Sequence, residues 1–125
     1  MSMELKQAAC AVVDTYHRVE VLDDEASKLL VVVEQILSEG GVRFYASVYD
    51  GDIGAQLAWT SDGDNQPYQL IGGYYMPGLF GVSSTLPWRE CDQSIRVKLG
   101  KLVPALLTKL KKELDKVRKS SLQGM

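Results

Sequence analysis

The feature that most constrains this chain is a two-residue rhythm between Val42 and Val82. Val42, Phe44, Ala46 and Val48 alternate with Arg43, Tyr45, Ser47 and Tyr49; Ile53, Ala55, Leu57 and Trp59 alternate with Gly54, Gln56, Ala58 and Thr60. Apolar residues at every second position mark strands with one face on a core. Asp50-Gly51 and Asp62-Gly63 punctuate the rhythm, and such steps predict tight hairpins because glycine reaches positive φ without steric cost. A third strand is expected at about 67–76, with Gly72-Gly73 inside it, a pair that signals a bulge or the close approach of another backbone or a ligand. Pro77-Gly78 then turns the chain into a fourth strand at about 79–83. The result is an antiparallel meander.

Helical sequence flanks it on both sides. Residues 1–39 contain neither glycine nor proline. Leu5, Ala9, Val12, Tyr16 and Val19 share one helical face, and Ala26, Leu29, Leu30, Val33, Ile36 and Leu37 form a second stripe. The phase between them slips near Leu22. Asp23, Asp24 and Glu25 follow, and acids suit the first turn of a new helix, where the dipole favours negative charge. Two helices are therefore expected, at about 3–18 and 24–38, rather than one long one, with Val19–Leu22 open to a short extended piece. Ser2 is the expected N-cap, and Gly40-Gly41 the stop.

In the C-terminal third, Ile95, Leu99, Leu102, Val103, Leu106, Leu110, Leu114 and Val117 fit one helical face. Inside that helix Pro104 would break a hydrogen bond and cost ~3 kcal/mol. A helix is expected over about 103–118, with residues 92–99 either a kinked preceding helix or a fifth strand, and a frayed tail from Lys119. A single α+β domain results: N-terminal helices, a four- or five-stranded meander and a C-terminal amphipathic helix.

Length and composition are those of one globular domain: 125 residues, 46% hydrophobic and 24% charged. No apolar run approaches the roughly 18–20 residues of a membrane span. The first residues, MSMELKQAAC, lack the basic and apolar regions of a secretory signal. Cys10 and Cys91 match no metal or redox spacing and read as reduced, semi-buried thiols of a cytoplasmic protein. The net charge of −2 hides a division: residues 1–88 are acidic, and residues 89–125 carry most of the lysine. That asymmetry suits an anionic partner, or attraction between the two parts of one fold.

Few residues support catalysis. The triplets Asp50-Gly51-Asp52 and Asp62-Gly63-Asp64 resemble the start of a calcium loop but continue without its later ligands, and they fall at opposite ends of one strand. They read as turns. His17 is the sole histidine, which excludes a multi-histidine metal centre within the chain. Nucleophile elbow, phosphate loop and dinucleotide fingerprint are all missing from the sequence. No cofactor or metal is expected, and no enzyme.

Two constellations remain. Residues 72–81 (GGYYMPGLFG) place Tyr74, Tyr75, Met76, Leu79 and Phe80 around a tight turn, residue types suited to anchoring a partner or closing over a ligand. On the C-terminal helix, Lys98, Lys101, Lys109, Lys112, Lys116 and Lys119 form a basic ridge beside the apolar stripe. The ridge has no interleaved aromatics, which disfavours nucleic acid. The leading expectation is a small non-catalytic interaction protein, a regulator, inhibitor or adaptor. It would bind a protein partner through the 72–81 turn and an exposed sheet face bearing Tyr45, Tyr49 or Trp88, with self-association open. The alternatives are a binder of an anionic ligand or nucleic acid through the lysine ridge, and a small-molecule-binding domain.

Overall fold

One unbroken helix opens the chain. In the computed structural model, which describes residues 2–74 and 85–123, α1 runs from Met3 to Glu39. Ser2 caps it by accepting a hydrogen bond from the Leu5 amide at 3.2 Å. Gly40 closes it, and Gly41 follows at φ 67°. The two helices expected from the sequence, and the extended piece between them, are thus replaced by one. The reason lies at Asp23. Leu5, Ala9, Val12, Tyr16, Val19, Asp23, Ala26, Leu30, Val33 and Leu37 are spaced alternately four and three apart. The register therefore runs straight through, with Asp23 as its one polar member. Asp23 does not start a helix; it binds Arg96 through two hydrogen bonds of 2.7 and 2.8 Å.

The sheet is an antiparallel meander in the order β1-β2-β3-β4: Ala46–Asp50, Ala55–Thr60, Gln69–Tyr74 and Thr85–Pro87. β2 and β3 lie within the expected segments, whereas β1 begins only at Ala46, leaving 42–45 outside the ladder, and takes in Asp50, expected in the turn. The expected fourth strand at 79–83 lies outside the described residues, and β4 pairs Thr85–Pro87 with Ile71–Gly73. Turns do form at the Asp-Gly steps, but the positive φ does not sit on the glycines of those steps. The Asp50 carboxylate accepts from the Asp52 amide at 2.8 Å, and the positive φ angles fall at Gly54 and Asn65. At Asp50 the aspartate turns the chain through its side chain, while around Asp62 the turn is closed by the Gln66 amide on the Gly63 carbonyl at 3.2 Å.

The register of β2 with β3 is continuous through Gly72 and Gly73, so there is no bulge. The close approach is real, but what approaches is a side chain. A Cβ on Gly72 would lie 2.5 Å from both methyls of Leu99.

A single 3-10 turn, Trp88–Glu90, leads into α2, Gln93–Gln123. Residues 92–99 are thus neither a separate helix nor a strand, and the helix continues beyond Lys119. The Asp92 carboxylate accepts from the Ile95 amide at 3.0 Å and so starts it. Pro104 sits inside it and is exposed. Its cost of ~3 kcal/mol is outweighed because Ile95, Leu99, Leu102, Val103, Leu106 and Leu110 are all buried, each worth ~1.5–3 kcal/mol. Their burial against Ala46, Ala55, Leu57, Trp59 and Leu70 forms the core.

α1 crosses α2 where Ala26 meets Gly100. Only Ala26, Leu30 and Val33 of α1 are buried. Glu34 ties the helix to the sheet by accepting from the Leu70 amide at 2.9 Å and from Arg89 at 2.8 Å.

Candidate functional site

Of the residues expected around an aromatic turn, Tyr74 is described. Tyr74 ends β3, is exposed, and donates its hydroxyl to Asp92 at 3.1 Å. Tyr75, Met76, Leu79 and Phe80 lie outside the described residues. Of the aromatics expected on an exposed sheet face, Tyr45 and Tyr49 are exposed, whereas Trp88 is not. Trp88 is 4% accessible, because the 3-10 turn folds it into the core while Arg89 stacks over its ring at 4.6 Å. Its indole N–H has no partner among the described residues.

The lysine ridge is partly committed to the fold. Lys109 donates to the Ser47 carbonyl on the edge strand β1 at 2.7 Å, and Lys116 pairs with Glu113 at 3.3 Å. On the other flank Lys111 and Arg118 converge on Asp115, whose carboxyl the Lys111 ammonium holds below the usual range. Lys101, Lys112 and Lys119 are exposed, and Lys98 is half-buried.

The acidic and basic parts of the chain meet in a polar cleft lined by Glu20, Asp23, Asp24, Arg89, Gln93 and Arg96. The hydrogen bonds from Arg96 hold the Asp23 carboxyl below its ordinary value, and Asp23 raises Arg96 in turn. Arg89 reaches Glu34 instead, at 2.8 Å. These two ion pairs join the acidic N-terminal helix to the basic C-terminal segment. Attraction within one fold therefore accounts for part of the charge division.

Neither cysteine nor histidine is set up as a nucleophile pair. His17 is exposed on α1, 3.2 Å from Glu20. Cys10 is exposed rather than semi-buried, because it lies on the uncovered part of α1, while Cys91 is buried and donates to the Gly72 carbonyl at 3.3 Å. Burial pushes the Cys91 thiol up, away from the thiolate a nucleophile needs. Among the described residues no three acidic, histidine or cysteine side chains gather to hold a metal. Likewise no described helix is long and apolar enough to cross a membrane.

The surface that sequence reasoning did not single out is the first half of α1. Every described residue from Ser2 to Arg18 is exposed. Residues 3–18 of the helix, or ~24 Å at 1.5 Å per residue, thus extend beyond the crossing with the apolar stripe uncovered. Leu5 is 63% exposed, Val12 68% and Tyr16 54%. These residues continue the phase of Ala26, Leu30 and Val33, which are buried. The signal was present in the four-three spacing. Asp23 hid only its continuity with the buried stripe further along. Compared with family models, curated proteins and solved structures, the chain matches none of them.

Proposed function

We propose that this chain is a non-catalytic interaction module that engages a protein partner through the projecting arm of α1. The observation that carries the reading is the bare apolar stripe of Leu5, Val12 and Tyr16 on a helix whose same face is buried further along. A soluble helix exposes such a stripe at a cost that only a partner removes, because apolar surface gains ~25 cal/mol per Å² on leaving water. The partner's matching surface is an apolar groove or helix face that accepts side chains at three- and four-residue intervals. Regulators and adaptors that work by contact alone need nothing more.

Capture from a native extract tests this, with the wild type beside a Val12→Glu, Tyr16→Glu double variant. Loss of the captured species in the variant, with unchanged circular dichroism of the body, supports the arm as the site. Equal capture by both proteins removes the arm from consideration. Salt separates the second reading, an anion bound by the exposed Lys101, Lys112 and Lys119. Such binding falls steeply with ionic strength, whereas apolar docking does not.

A further inference from the structure

The arm's stripe belongs to a heptad register, with Ala9, Tyr16 and Asp23 at the a positions and Leu5, Val12 and Val19 at d. Within the body this register is satisfied inside the same chain: Asp23 by Arg96, and Ala26, Leu30 and Val33 by burial. Over the arm nothing in the chain satisfies it among the described residues. The positions beside the seam are informative. Lys6, Val13 and Glu20 occupy e, while Ala8, Thr15 and Leu22 occupy g. Val13 is 52% exposed and Leu22 46%, so the bare surface is wider than the seam itself. The outward positions hold Glu4, Gln7, Asp14, His17 and Arg18 interspersed with Met3, Cys10, Ala11 and Val21.

We propose that the arm pairs with the arm of a second copy of this chain as a short antiparallel coiled coil centred on Asp14. This deepens the interaction reading above and rests on it. Around that centre Val12 of each copy packs against Tyr16 of the other, and Ala9 against Val19, so each layer combines a smaller side chain with a larger one. The e positions then face each other. Lys6 of each copy lies opposite Glu20 of the other, giving two symmetric ion pairs, and Val13 faces its own copy on the two-fold axis.

A parallel pairing fails on the same residues. It would set Tyr16 against Tyr16 and Ala9 against Ala9, alternating overfilled and empty layers, and would bring Asp23 level with Asp23. Lys6 and Glu20 would face only uncharged g positions and gain nothing. Charge therefore selects both the partner and its direction. A helix of this kind also matches itself in length. In the antiparallel register Leu5 of one copy reaches the level of Asp23 of the other, so the overlap spans the arm and ends against the Asp23–Arg96 pair of the body.

Light scattering on the purified chain across low to high micromolar concentration reads the association directly. The wild type is expected to rise from 13.8 kDa toward twice that mass. Lys6→Glu and Glu20→Lys each replace two attractive contacts by two repulsive ones, and each is expected to weaken association about tenfold. An equimolar mixture of the two variants is expected to recover wild-type association. In the mixed dimer every altered residue meets the opposite charge.

A mixture no stronger than either variant alone overturns the antiparallel register. A wild type that stays monomeric throughout overturns the second copy as occupant. In that case, loss of extract capture by the Val12→Glu, Tyr16→Glu variant would still leave the broader interaction reading standing.

Discussion

Gly100 and Ala26 set the distance between the two long helices. A Cβ built on Gly100 falls 2.7 Å from the Ala26 Cβ and 3.2 Å from its Cα. The second contact is backbone, so no rotamer change relieves it. Gly100→Ala is therefore expected to push α1 off α2 and to destabilise the protein by ~1–3 kcal/mol, although alanine has the higher helix propensity by ~1 kcal/mol. Chemical denaturation checks it. A Gly100→Ala variant as stable as the parent would show that the helices separate freely at this point.

The Asp23–Arg96 pair predicts a pH dependence. The folded-state pKa of Asp23 is depressed, so its contribution is fully present above the unfolded value of about 3.9. It is lost as pH falls through the lower folded value. Asp92 is depressed as well, chiefly by the Ile95 amide, and acts in the same direction. Asp23→Asn is expected to cost ~1–3 kcal/mol near neutral pH and to flatten the acid limb below about pH 4. Urea unfolding at pH 7 and pH 3 gives the comparison. The gap between parent and variant should narrow at the lower pH.

Pro104 offers the opposite sign. It is exposed and lies mid-helix, so its ring removes a hydrogen bond to the Gly100 carbonyl without supplying buried surface in return. Pro104→Ala is expected to stabilise the chain by ~1–2 kcal/mol, after allowing for the greater freedom of the unfolded variant. Thermal unfolding should shift upward by roughly 3–8 °C. A lowered Tm would mean that the ring makes contacts its exposure does not suggest.

The meander was legible because strand periodicity and turn chemistry are local. Ser2 as a cap and Gly40-Gly41 as a stop were legible for the same reason. What the sequence concealed depends on residues distant along the chain. Asp23 looks like a helix start until Arg96, 73 residues away, is seen to hold it. Pro104 looks like the first turn of a helix until the burial of Ile95 through Leu110 is weighed against it. Trp88 was expected on an exposed sheet face, but the 3-10 turn carries it inward. The arm was hidden differently: its stripe was recognised, but burial on the body and exposure beyond it cannot be told apart by spacing.

Because α1 is a single helix, its arm has no orientation of its own. The body fixes the helix at Ala26, Leu30 and Val33, and each residue along the axis turns the side chains by 100°. One residue inserted between Val19 and Asp23 would swing the arm's apolar face by that angle while leaving the core contacts in register. The helix thus acts as a crankshaft, and the packing of the domain dictates the direction from which anything can dock on its far end.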